Sequence, residues 1–150
     1  MKIKNYTSTV PAERTIASIE KTLAEAGASG IVKDYAAGKV IALSFRISLP
    51  QRDIVIRLPS NHEAVYAAMR KQLQQPRSGT LERLREQSIR TSWKLMQDWV
   101  EVQLTLIRMQ QVDFLQVFLP YVWDGKQTFY ESIKHQNYLA LPPNEPSNPH

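Results

Sequence analysis

The sequence predicts an α+β fold: an N-terminal helix, a three-stranded antiparallel meander with a covering helix, and a helical C-terminal half built on one long central helix. Three observations predict it. From Lys39 to Leu49, Ile41, Leu43, Phe45, Ile47 and Leu49 alternate with Ala42, Ser44, Arg46 and Ser48, the period of a half-buried strand. From Trp93 to Met109, ten of seventeen positions are apolar. The polar residues there, Lys94, Asp98, Glu101, Thr105 and Arg108, recur every three or four positions and line one narrow stripe of a helix otherwise covered, by this chain or by another copy of it. Between the two patterns lies PRSGT, residues 76–80, a helix-breaking stretch.

Residues 2–10 mix polar and β-branched side chains and suit an edge strand or an ordered arm. Pro11 opens a helix on which Ile16, Ile19 and Leu23 share a face; Glu13 suits its positive end and Gly27 stops it. Three strands follow: Ile31–Ala36, Lys39–Leu49 after the turn Ala37-Gly38, and Asp53–Leu58 after Pro50-Gln51-Arg52. Pro59-Ser60-Asn61 then gives a stop and a cap. The next helix has Val65, Tyr66, Met69 and Leu73 on its apolar side, runs to near Pro76, and is expected to close over the meander.

Residues 1–75 thus form an α-β-β-β-α unit and 76–80 a linker, with Ser78 or Thr80 capping the long helix Leu81–Val112. Helices at Phe114–Tyr121 and Gln127–Lys134 follow, separated by Asp124-Gly125. Residues 81–139 make a helical unit packed on the first, and 140–150, with four prolines in eleven residues, is expected as a flexible tail.

At 150 residues, 43% hydrophobic and 22% charged, the chain is long enough for one domain with a core. No window approaches the ~18 apolar residues of a spanning helix, so a membrane partner is not expected. The basic start, Met1-Lys2-Ile3-Lys4, lacks the apolar core of a signal peptide. Cysteine is absent, which removes disulfides and thiolate chemistry.

The net charge of +5 is unevenly placed. Residues 70–94 hold seven basic and two acidic groups, whereas residues 95–150 hold three and six. The basic middle comprises Arg70, Lys71, Arg77, Arg83, Arg85, Arg90 and Lys94, and an anionic partner such as nucleic acid fits it. Helical spacing also allows Glu82–Arg85, Glu86–Arg90 and Asp98–Lys94 pairs, leaving Arg70, Lys71, Arg77 and Arg83 free. On the meander, Arg46 and Arg57 fall on the polar face, and Tyr35, sharing a strand face with Lys33, is a candidate for base stacking near them or for cross-strand packing. Trp93 and Trp99 suit a core or a partner interface.

Catalytic chemistry finds little support. His62, His135 and His150 have no metal-ligand spacing, and there is neither a GxSxG motif nor a phosphate-cradling glycine loop. Asp98 and Glu101, one turn apart, are flanked by Lys94 and Arg108, which favours salt bridges over a metal. No enzyme activity, metal or cofactor is expected.

The run Asp98-Trp99-Val100-Glu101-Val102-Gln103-Leu104, with Ile107 and Val117-Phe118-Leu119-Pro120-Tyr121, resembles a family of short uncharacterised proteins of phages and other mobile elements. That resemblance implies a setting in the cytoplasm of a bacterial or archaeal host cell and no chemistry. The order helix, three-stranded meander, helix is similar to double-stranded-RNA-binding cores and to the core of single-strand annealing proteins. Where the former carry a lysine-rich phosphate clamp, this chain has Ser60-Asn61-His62-Glu63, which argues against duplex RNA.

The expected function is a non-catalytic, oligomeric nucleic-acid-binding accessory protein. It would engage single-stranded DNA through Arg46, Arg57, Arg70, Lys71, Arg77, Arg83 and Arg90, with Tyr35 as a stacking platform. The alternative is an adaptor or structural subunit whose central helix packs on a partner protein.

Overall fold

A computed structural model of the chain describes residues 2–146, the side chain of Ser78 excepted. The end of the predicted tail, with His150, and the expected cap hydroxyl of Ser78 lie outside the described residues.

Helix α1 (Ala12–Glu25) follows Pro11 and buries Thr15, Ile16, Ile19 and Leu23, the spacing of one helical face. Gly27 at φ 106° ends it: the amides of Gly27 and Ala28 donate to the carbonyls of Ala24 and Leu23 at 3.1 and 3.0 Å, a Schellman motif.

Strands β1 (Gly30–Ala36), β2 (Lys39–Ser48) and β3 (Asp53–Pro59) form an antiparallel sheet in the order β1-β2-β3. Ala37 and Gly38, at φ 50° and 75°, make the two-residue turn whose twist matches the strands. Between the pairs Asp34–Ala42 and Tyr35–Val40, Ile41 is an extra residue on β2, and its carbonyl accepts the Ser60 amide at 2.9 Å. The outer edge of β3 is covered in part: Ile56 bridges Val122, and the Trp123 amide donates to the Val55 carbonyl at 2.8 Å.

One sheet face carries Leu43 opposite Leu58 and Phe45 opposite Ile56. Against it pack Ile16, Ile19 and Leu23 of α1 and Trp93, Val100 and Leu104 of α3 (Ser78–Arg108) in one continuous core. Helix α4 (Phe114–Phe118) closes one side: the Phe118 ring meets Phe45 edge-on at 5.9 Å and Trp99 at 5.5 Å. A 3-10 turn (Leu119–Tyr121) and α5 (Phe129–His135) complete the chain. No helix among the described residues is long and apolar enough to cross a membrane.

Helix α2 (His62–Arg70) is shorter than the sequence suggests: beyond Arg70 the amides of Gln72 and Leu73 tighten onto the carbonyls of Met69 and Arg70 at 3.1 and 3.2 Å, and Gln75, before Pro76, sits at φ 48°. It lies beside the first half of α3, its buried Met69 within 3.5 Å of the Ser88 hydroxyl, while α1 and α3 supply the layer over the sheet. Helix α3 starts at Ser78, so Gly79 and Thr80 of the expected linker belong to its first turn, and Arg77 rather than Thr80 occupies the cap position. At its other end Gln110, at φ 59°, plays the part usually taken by glycine: the Gln110 and Gln111 amides close on the carbonyls of Ile107 and Leu106, both at 3.0 Å. The helix therefore stops at Arg108, short of Val112.

Trp93 has no exposed surface, whereas Val102, nine residues on, is 56% exposed. The cover that α3 requires along its buried stripe thus comes from its own chain. Replacing Trp93 by Ala is expected to cost about 3–5 kcal/mol in urea-unfolding experiments. Val102→Ala should stay within about 0.5 kcal/mol of the parent.

Candidate nucleic-acid interface

The chain reverses direction between α2 and α3 within residues 71–77. Arg70 ends α2, Lys71 follows it, Arg77 caps α3, and Arg83 stands six residues on, about 9 Å along the helix axis. Arg70 is half-buried; Lys71, Arg77 and Arg83 are exposed. None of the four forms an ion pair among the described residues. Arg70 is partly offset by the negative end of α2, but the first turn of α3 contains no acid, so the positive end of that helix adds to the field of the cations.

The other predicted contact residues are placed elsewhere. Arg57 and Arg46 do share the open face of the sheet, as their pairing with Ser44 and Val55 requires. Arg57, however, is spent internally: its guanidinium bonds the Asp34 carboxylate and lies 4.6 Å from the centre of the Trp123 ring, leaving 21% of the side chain exposed. Edge strands β1 and β3 are about 10 Å apart. Because β2 has only Ala42 and Ser44 between them, a long side chain can cross; both small residues are buried beneath the bridge. Arg46 donates from Nε to the Ser29 hydroxyl at 2.9 Å. It lies at the opposite end of β2 from the Ala37-Gly38 turn, roughly 20 Å along the strand.

Tyr35 lies on the face away from Arg46 and Arg57. It shares that face with Lys33, whose ammonium pairs with Glu20 of α1 at 3.0 Å and, through that hydrogen bond and charge, holds its proton above the ordinary lysine range. The expected grouping of Tyr35 with the two arginines fails because β1 alternates and its bulge partner lies in β2. Arg90 is drawn into the N-terminal arm, donating to the Gln87 side chain at 2.6 Å and the Ser8 carbonyl at 3.3 Å. Trp93 is core, whereas Trp99 is half-buried beside the rings of Phe118 and Tyr121 and lines a shallow surface pocket with Leu95 and Met96.

Residues 3–8 run along α3 as an ordered arm. The Asn5 carbonyl accepts the Thr91 hydroxyl at 2.9 Å, and Asp98 accepts the Lys4 ammonium at 2.6 Å and the Asn5 amide at 2.8 Å. This replaces the expected Asp98–Lys94 pair; Lys94 donates to Gln97 instead, at 2.9 Å. Arg85 likewise turns away from Glu82, reaching Glu63 of α2 at 3.7 Å and lying 4.1 Å from the centre of the Tyr66 ring.

That crossing forms one wall of a cleft of about 510 Å³ between the β1–β2 turn, α2 and the first half of α3. Glu82, Glu86 and Ile89 line it from α3, and Ile41 and Lys39 from β2. His62 also faces it, its Nδ1 2.6 Å from the Ser60 hydroxyl and its Nε2 3.5 Å from Glu63. Ser60 is only 3% exposed, so this trio offers no accessible nucleophile. No group of three or more His, Asp or Glu among the described residues could hold a metal ion. Sequence reasoning missed the cleft. Its only linear trace is Glu82, Arg85, Glu86 and Ile89 at one-face spacing, with Glu63 and Tyr66 similarly spaced on α2.

Comparison with known proteins finds no matching protein family, curated protein or solved structure.

The arm makes one pH-dependent claim. Burial works to raise the pKa of Asp98, but the hydrogen bonds from Lys4 and Asn5 and the charges of Lys4 and Lys94 outweigh it and hold the carboxyl below its ordinary value. A depressed folded pKa contributes stability above the unfolded pKa and loses it as pH falls through the folded one. In urea titrations the parent chain should exceed Asp98→Asn in stability by a steady margin around neutral pH, and the margin should shrink progressively as pH falls below about 5.

Proposed function

We propose that the protein binds nucleic acid non-catalytically, by neutralising backbone phosphates at the α2–α3 junction. What supports the reading is the set Arg70, Lys71, Arg77 and Arg83, four cations gathered at one reversal of the chain and matched by no carboxylate among the described residues. Arg46, Arg57, Arg90 and Tyr35 are left out of this contact, since each is paired internally or lies on another side. The mechanism is release of counterions as phosphates replace them, which gives strength without sequence preference.

A second reading has its own observation. Leu119, Phe129, Tyr130, Tyr138, Leu139 and Leu141 are all large apolar side chains at least 43% exposed within one C-terminal segment. An adaptor role would use that segment rather than α3, and would appear as a change of mass in light scattering when a partner protein is added.

For the first reading, titration of a fluorescent oligonucleotide at low salt should give saturable binding. With about four phosphates neutralised, log affinity should fall against log salt with a slope near −3. Reversing Arg70, Lys71 and Arg77 to Glu should weaken binding by a similar factor for every sequence, whereas Arg46→Glu should leave it nearly unchanged. Absence of binding at low salt, or equal losses from both variants, removes the proposal.

A further inference from the structure

The cleft beside the cationic junction has a chemistry unlike that of the junction itself. Three carboxylates, Glu63, Glu82 and Glu86, stand against two cations, Arg85 and Lys39, so its lining is net negative and repels phosphate. Its volume of about 510 Å³ falls within the ~300–1,000 Å³ of small-molecule sites, and Ile41 and Ile89 give it apolar walls.

Its most distinctive feature is a flat cation. Arg85 lies over the Tyr66 ring at 4.1 Å and is steadied by Glu63 at 3.7 Å. The ring thereby backs the guanidinium on one side, while the side chain remains 57% exposed. Arginine planes held in this way are stacking platforms for unpaired bases. The three carboxylates around it can accept hydrogen bonds from an exocyclic amino group and outnumber the one ammonium, Lys39, that could donate to a carbonyl edge.

Position completes the case. Arg83 lies between Glu82 and Arg85 in sequence, and at about 100° per residue it points to a neighbouring side of α3, away from the cleft stripe. A strand laid on Arg70, Lys71, Arg77 and Arg83 would therefore have the cleft beside its backbone.

We infer that this cleft takes one unstacked, amino-bearing base (cytosine, adenine or guanine) of a single strand, stacked on the outer face of Arg85. The inference rests on the phosphate-binding reading above and adds a preference to it: single strands over duplex, because a paired base must first be unstacked at a cost. It also transfers the stacking role expected of Tyr35 to the Tyr66–Arg85 pair.

The test compares four labelled probes at low salt: oligodeoxycytidine, oligothymidine and an abasic strand, each about 12 nucleotides long and so within the ~4–16 nucleotides of single-strand sites, and a duplex of the same length. The parent protein should bind oligodeoxycytidine more tightly than oligothymidine, and both more tightly than the abasic strand. Arg85→Lys keeps the charge and loses the plane. It should weaken oligodeoxycytidine binding by about 5- to 100-fold while leaving the abasic and duplex probes unchanged. Tyr66→Leu, which keeps the apolar packing of α2, should give the same signature. If Arg85→Lys binds oligodeoxycytidine as the parent does, or the parent does not distinguish it from the abasic strand, the cleft holds no base although phosphate binding stands. If no probe binds the parent, the phosphate reading itself falls and takes this inference with it.

Discussion

Helix α3 is 31 residues long, about 46 Å, whereas the seven residues of β1 or β3 span about 23 Å. A helix twice as long as the outer strands, and about 1.4 times as long as the ten-residue β2, cannot be buried by the sheet alone. The stretch from Trp93 to Leu104, about 17 Å of rise, is the part that fits on the sheet, and there Trp93 and Val100 lose all exposure. The fifteen residues before Trp93 must find other neighbours. Two elements answer that requirement: α2 doubles back along the first half of α3, and the N-terminal arm runs beside it from Gln87 onward, while α4 brings Phe118 under Trp99 on the stretch that the sheet covers.

The overhang also explains where the charged features lie. A helix that pads α3 from Met69 to Ser88 must be joined to it by a short reversal, and none of its seven residues, 71–77, is fully buried. Long, well-hydrated side chains suit such a place, and Arg70, Lys71 and Arg77 occupy it. Between α2 and the overhanging half of α3 the sheet ends, with its Ala37-Gly38 turn, and the gap that remains is the cleft. The cleft and the junction are thus two results of one mismatch in length.

Much of the fold was legible because it depends on local rules. The alternation in β2, the left-handed stop at Gly27 and the turn at Ala37-Gly38 each carry their geometry in residue type. Others were hidden for equally physical reasons. Gln110 ends α3 in a conformation that its side chain does not advertise, and the reciprocal Thr128–Glu131 cap of α5 is a short pattern whose strength shows only once the helix is placed. The candidate site was harder to read. Whether Arg57 is free depends on Ala42 and Ser44 being too small to block its path to Asp34, and whether Arg85 pairs with Glu82 or crosses to Glu63 and Tyr66 depends on how α2 packs. Spacing along one helix ranks local partners but says nothing of those brought in from another element.

The distribution of opposite charges along α3 then acquires a meaning that its net value lacks. Arg77 and Arg83, about 9 Å apart along the helix axis, repel by roughly 0.5 kcal/mol in water before screening by salt. Glu82 and Glu86 are close along the helix, yet they line the cleft on another side, and among the described residues neither forms an ion pair with Arg77 or Arg83. In the reading proposed here, the same two carboxylates prevent a phosphate from settling in the cleft. Attraction at Arg83 and repulsion at Glu82 and Glu86, a single turn of helix apart, would hold a strand in one orientation, with its backbone on one side of α3 and a base on the other.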